Sequence, residues 1–217
     1  AGAAVALAGV AIVKGLTHAI EDGLTQLRAW DLMQTQLGID KTAMRSLGEG
    51  AGQAYAHGFG DSVEANLKAI KSGLQTGLIT ANSSPEKVAQ YTQRVSTTAK
   101  NLEEDPTAVA RGARNLVRTG AVKDYTEALD VLNAAQAAGL NVTGDLIDTT
   151  EEYATSWKSV GLSAQDAVGL MKQMTDAGIR NTDLAADSIK ELSISVNDGS
   201  KQTAQAFAAL GLNAEDM

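Results

Sequence analysis

The chain has 217 residues, 44% of them apolar but only 4% aromatic, with no cysteine and a formal net charge of −8. That length holds one or two compact domains of the usual roughly 100 to 200 residues, yet any core is filled by Ala and other small side chains, which suits close helix packing and argues against the large apolar walls of an enzyme cleft. The absence of cysteine excludes a disulfide framework and a thiolate metal site, and the acidity is uneven: residues 1–124 carry 13 Lys and Arg against 12 Asp and Glu, residues 125–217 carry 5 against 14, so the second half repels phosphate backbones and disfavours tight nucleic-acid binding.

The first thirteen residues, AGAAVALAGVAIV, form an apolar run closed by Lys14. A bilayer crossing needs about 20 residues, so the run reads as the cut end of a longer segment, either a packed helix or part of a membrane-capable stretch. A signal peptide fits poorly, because no basic region precedes the run and LTHAIEDG is no small-residue cleavage site.

Periodicity beyond it is helical, with no sustained strand alternation, which predicts an all-α chain. Leu16, Ile20, Leu24, Leu27, Trp30, Met33 and Leu37 step by three or four residues along one helical face. Gly38 stops that helix, Ile39 follows as an apolar plug, and Asp40 caps the next helix. The same grammar recurs in Val160-Gly161-Leu162-Ser163 and Leu210-Gly211-Leu212-Asn213, where Asp166 and Asp216 stand three residues after the cap and complete a capping-box variant. Ser84-Pro85 and Asp105-Pro106 each pair a capping residue with proline at the first helical position. Helices are expected at 14–37, 41–57, 61–76, 85–103, 106–118, 125–138, 145–160, 164–177, 183–197 and 200–210.

Three regions are expected: an apolar segment and amphipathic helix over 1–40, a helical region with a GFGDS turn over 41–120, and an acidic helical repeat region over 121–217. Residues 119–124 read as a boundary and 76–84 as a polar linker. In the last region AGLNVTGDLIDTTEEY from Ala138 resembles AGIRNTDLAADSIKEL from Ala177, and each copy precedes a G-L-[SN]-A-[QE]-D element. Tandem units of this kind bury their apolar faces against neighbouring units or neighbouring copies rather than around one core.

Chemistry has few places to sit. His18 with Glu21 and Asp22 has the spacing of three ligands on one helical face, but a solvated polar face accounts for it better. His57 precedes Gly58-Phe59-Gly60-Asp61 and reads as a helix-end residue. The glycines of SLGEGAGQAYAHGFGDS match neither nucleotide-binding fingerprint; Gly48, Gly50 and Gly52 mark a close helix crossing, and Gly58 and Gly60 a turn before a helix capped by Asp61 or Ser62. Arg111, Arg114 and Arg118 share one helical face. They follow Glu103, Glu104 and Asp105 in the order that complements a helix dipole, which outweighs a protein partner and, further behind, nucleic acid. Glu151 and Glu152 point about 100° apart, unlike a glycosidase pair, and Asn82-Ser83-Ser84 and Asn141-Val142-Thr143 match the glycosylation sequon by chance as easily as by design. No catalytic, cofactor-binding or metal-binding residue is assigned, and no cofactor is expected.

The residues LGIDKTAMRSLGEGAGQAYAHGFGDSVEANLKAI, with YTEALDVL, EEYATSWKSVGLSAQDAV, LAADSIKELSI and AFAALGLNAEDM, resemble phage tail tape measure proteins, in particular the long ones of siphophages. The resemblance covers nearly the full chain. It implies a non-enzymatic virion protein that sets tail length during assembly, lies as several parallel copies, a homotrimer, in the tail-tube lumen or at the tail tip, and contacts tail-tube, distal-tail and baseplate-hub proteins. It further implies help in genome delivery through the host envelope and membrane during ejection, and no specific nucleic acid. The alternative is a membrane-active pore-forming helical module with Ala1 to Val13 as its tip; a muralytic enzyme fragment comes third, for want of a carboxylate or metal-ligand cluster.

Overall fold

The computed structural model describes residues 31–32, 34–60, 63–197 and 200–209. The apolar run Ala1 to Val13, the His18, Glu21 and Asp22 group, the caps at Asp61 and Ser62 and the Leu210 to Asn213 stop lie outside the described residues. Within them all regular structure is helical: α1 Lys41–Ala56, α2 Val63–Thr76, α3 Pro85–Leu102, α4 Pro106–Thr119, α5 Tyr125–Ala137, α6 Leu146–Ser159, α7 Ala164–Asp176, α8 Thr182–Asn197 and α9 Lys201–Ala209. Every helix expected from residue 41 onward is present, with ends within two residues of the expectation. Among the described residues none is long and apolar enough to cross a membrane.

The ends are placed by local chemistry. At the close of α6, Gly161 takes φ +78, which lets the Leu162 amide turn back 3.0 Å to the Trp157 carbonyl and satisfy one of the last turn's orphan acceptors. The same five-residue return closes at Ile39, Phe59, Leu78, Ala121, Leu140 and Ile179. Ser163 then starts α7 with a complete capping box shared with Asp166. Asp40 accepts from the amides of Thr42 and Ala43, and Asp105, followed by Pro106, accepts from that of Thr107.

The chain divides into two compact units, residues 1–93 and 94–217. In the first, α1 and α2 pack as a hairpin. The expected close crossing is at Gly50, where a Cβ would sit 2.6 Å from Val88 and 2.8 Å from the Pro85 carbonyl; Gly52 faces open space. Gly73 is equally tight, its hydrogen standing where a Cβ would meet the Tyr91 ring at 2.6 Å. The turn between α1 and α2 is held from inside by fully buried Asn66, whose amide donates to the Phe59 carbonyl at 2.9 Å. The stretch expected as a loose linker is tied down: Ile79 is buried, and Ser46 donates to the Ser83 carbonyl at 3.2 Å.

In the second unit α4, α6 and α8 pack in sequence as one row, while α5 and α7 pack against each other as a second. The end of α3 joins α5 through Arg94 with Asp130 and through Asn133 with Thr98 and Asn101. This is a stack of two-helix units. Ser84, Asp124, Ser163 and Ser200 each accept at the side chain from the amide three residues on, and they recur at intervals of 40, 39 and 37 residues. Side-chain bonds between neighbouring hairpins join residues 32 to 42 apart. The turns interlock as well, since Asn141 donates to the Leu102 carbonyl and Thr182 to that of Leu140. The repeat noticed between Ala138 and Ala177 is thus a spatial repeat. Its seams use small residues: Ala110, Gly112, Ala113, Ala135, Ala154, Ala167, Ala185 and Ala186 are buried, and a Cβ on Gly112 would touch Ile147 at 3.4 Å. Trp157 is the largest fully buried side chain among the described residues.

Candidate functional site

The side chains singled out in the sequence are mostly scattered and structural. His57 is the C-cap of α1, with Nδ1 2.7 Å from the Gln53 carbonyl. Gly58 and Gly60 both take positive φ in the turn that follows. Asn141 is half-buried and spends both ends of its amide, donating to Leu102 and accepting from the Leu146 amide at 3.1 Å. Glu151 and Glu152 are not a pair: Glu151 binds Arg111, and Glu152 is exposed. No cluster of potential metal ligands occurs among the described residues.

Among the described residues Tyr153 is a buried titratable group with a large shift. Burial pushes its hydroxyl above the ordinary tyrosine range, and the nearby carboxylates of Asp183, Glu152 and Asp187 push it further. Lys190 stands 5.5 Å over its ring. A phenol that holds its proton so firmly is no nucleophile; it packs α6 against α8.

The residues that do converge are the three arginines. α4 is buried on one face through Val109, Ala110, Gly112, Ala113 and Leu116, which leaves Arg111, Arg114 and Arg118 on the opposite, exposed side. Together with Asn115 and Glu151 they line a surface groove of about 350 Å³. It shares Arg118 with a neighbouring groove of about 380 Å³ that adds Thr119, Thr155, Lys158 and Ser159. α6 supplies the far wall. Arg111 Nε lies 3.2 Å from Glu151 Oε1, and Arg118 donates to Asn115 Oδ1 at 2.9 Å. Asn115 Nδ2 in turn donates to the carbonyls of Glu151 at 2.8 Å and Thr150 at 3.2 Å. Among the described residues Arg114, Arg118 and Lys158 pair with no carboxylate.

The Arg face was visible as a spacing pattern. Asn115 and Lys158 were not singled out, because what recruits them is the approach of α6, some 35 to 40 residues away in the chain. Arg118 does sit in the last turn of α4 and Asp105 at its start, the order expected of dipole complementation.

Residues 44–217 match the family model of the phage-related minor tail proteins. The chain is also 32% identical over 210 residues to a probable tape measure protein of Streptomyces phage phiC31, an alignment that takes in 97% of this chain and 29% of that protein. The chain therefore spans less than a third of the relative's length. No solved structure matches it. The extent of the family match settles the kind of protein: the chain belongs to the phage-related minor tail protein family.

Proposed function

We propose that the chain is a segment of a tail tape measure protein, a virion component whose length sets the length of the tail during assembly and which assists genome delivery through the host envelope. The observation that carries this reading is the similarity to the phiC31 protein along almost the entire chain, and the hairpin stack is in keeping with it. In this role several parallel copies, three on our reading, lie in the tail-tube lumen or at the tail tip and contact tail-tube, distal-tail and baseplate-hub proteins, and the protein meets the host membrane during ejection. The role asks for no active site and no cofactor.

In-frame deletion of residues 31–209 from the phage gene, with tail lengths measured on electron micrographs, tests it. A new, shorter and still uniform tail length is expected. Tails of unchanged length in otherwise complete particles would overturn the length-setting role.

A further inference from the structure

We propose that the groove between α4 and α6 is a docking site for an acidic helix of a protein partner. On a helix, Arg111, Arg114 and Arg118 fall within an arc of about 60° and span about 10 Å. Like charges three and four residues apart destabilise the helix that carries them, so the triplet costs α4 stability. One carboxylate, Glu151, faces the three, and it is committed to Arg111. Three other cations of the same unit are paired, Arg94 with Asp130, Lys172 with Asp176 and Lys190 with Asp187. Lys100, Lys123, Arg180 and Lys201 stand apart without a carboxylate among the described residues, so what sets the groove apart is three arginines on one face.

The groove is also arranged before any partner arrives. Glu151 orients the Arg111 guanidinium through Nε, which leaves its two terminal nitrogens for another acceptor. Asn115, anchored to two carbonyls of α6, orients Arg118 through one NH2 group. Lys158 extends the positive line from the α6 side. Guanidinium forks held in place suit carboxylates or phosphates. What selects between them is the field of the unit: residues 94–217 carry 18 Asp and Glu against 11 Lys and Arg, which repels a dense polyanion such as nucleic acid but tolerates a few carboxylates delivered at one spot. A partner helix with acids at i, i+3 and i+7 presents them at the spacing of the three arginines. The assignment goes beyond the length-setting role and stands or falls without it.

The test is binding of a fluorescently labelled helical peptide, with glutamates at i, i+3 and i+7, to the full 217-residue chain, followed by anisotropy in low and moderate salt. Saturable binding that weakens with salt is expected, with at least a tenfold loss in R114E/R118E and a smaller loss in K158A. The control K100E/R180E, which changes net charge equally outside the groove, should bind within twofold of the parent. Should charge reversal unfold the chain, judged by its circular dichroism, R114Q/R118Q replaces it with the same expectation. Absence of saturable binding, equal losses in the groove and control variants, or tighter binding of a single-stranded oligonucleotide of matched charge would each overturn the proposal.

Discussion

Replacing Glu103 by glycine should make the protein more stable, an outcome opposite to that of most substitutions. Glu103 has φ +58 and is the only non-glycine residue with positive φ among the described residues. It ends α3 at the place where Gly139 ends α5 and Gly178 ends α7, and the Glu104 amide makes the same return, 2.9 Å to the Ala99 carbonyl. A side chain in the left-handed region costs about 1–2 kcal/mol. Its carboxylate also stands at the negative end of the α3 dipole, worth about 0.3 kcal/mol or more against it. Glycine removes both penalties but loosens the unfolded chain, which takes back about 0.4–1 kcal/mol. Glu103 is exposed and lies in no ion pair among the described residues, so no packing is lost. The net gain is about 1 kcal/mol, a rise in melting temperature of about 2–4 °C for a chain of this size. Thermal and urea unfolding followed at 222 nm measure it, and E103A, which keeps a Cβ at positive φ, should gain far less. If E103G melts no higher than the parent, the strain argument at this turn is wrong.

Gly73→Ala should destabilise by about 1–3 kcal/mol, because the new methyl would lie 2.6 Å from the Tyr91 ring and 2.9 Å from Ile79; a urea midpoint unchanged from the parent would mean that α2 and α3 give way there. Asn115→Ala removes two hydrogen bonds to α6 carbonyls and frees Arg118, at a cost of about 0.5–1.5 kcal/mol per bond, visible in the same melts and as faster amide exchange in α6. Asp166 is held below the 3.8 of an unperturbed aspartate, first by the Ser163 hydroxyl and then by the Ser163 amide. A lowered carboxyl stabilises the fold above its unfolded pKa, and that contribution fades as pH falls through the folded value, so the α7 cap should fail only below about pH 4. NMR titration should place the Asp166 midpoint under 3.8, and Ser163→Ala, which removes the hydroxyl but keeps the amide, should raise it part of the way back; a midpoint at or above 3.8 in the parent contradicts the box.

Much of this architecture is written in local chemistry. Pro85 and Pro106 after Ser84 and Asp105, and Gly38 and Gly161 before apolar plugs, gave helix limits correct to within two residues, because caps are decided by four or five consecutive residues. What was not legible depends on residues far apart in sequence. Nothing near Glu103 marks it as left-handed, since glutamate ordinarily avoids that region; only the alignment of its turn with those at Gly139 and Gly178 explains it. The need for glycine at Gly73 is not legible locally, because its reason lies in Tyr91, on another helix. The division between units falls at Gln93 and Arg94, inside α3, where no glycine or proline interrupts the helix. The arginine face was legible from spacing, but not the groove, whose second wall is brought by α6.

The stacked form bears on how a tape measure converts residues into length. A continuous helix advances about 1.5 Å per residue. In the second unit the hairpins starting at Asp124 and Ser163, of 39 and 37 residues, each add one helix to each row, and packed helices lie about 8–10 Å apart, so the stack advances by roughly 0.25 Å per residue. Residues folded this way are some sixfold less effective as a spacer than residues in a straight rod. Duplicating the hairpin from Asp124 to Leu162 would lengthen a stacked segment by about 10 Å, where the same 39 residues in a continuous helix would add about 58 Å. If the chain sets tail length as proposed, each residue deleted from the hairpins shortens the tail by roughly 0.25 Å instead of about 1.5 Å, so a deletion within the stack gives a shortening that is small but measurable.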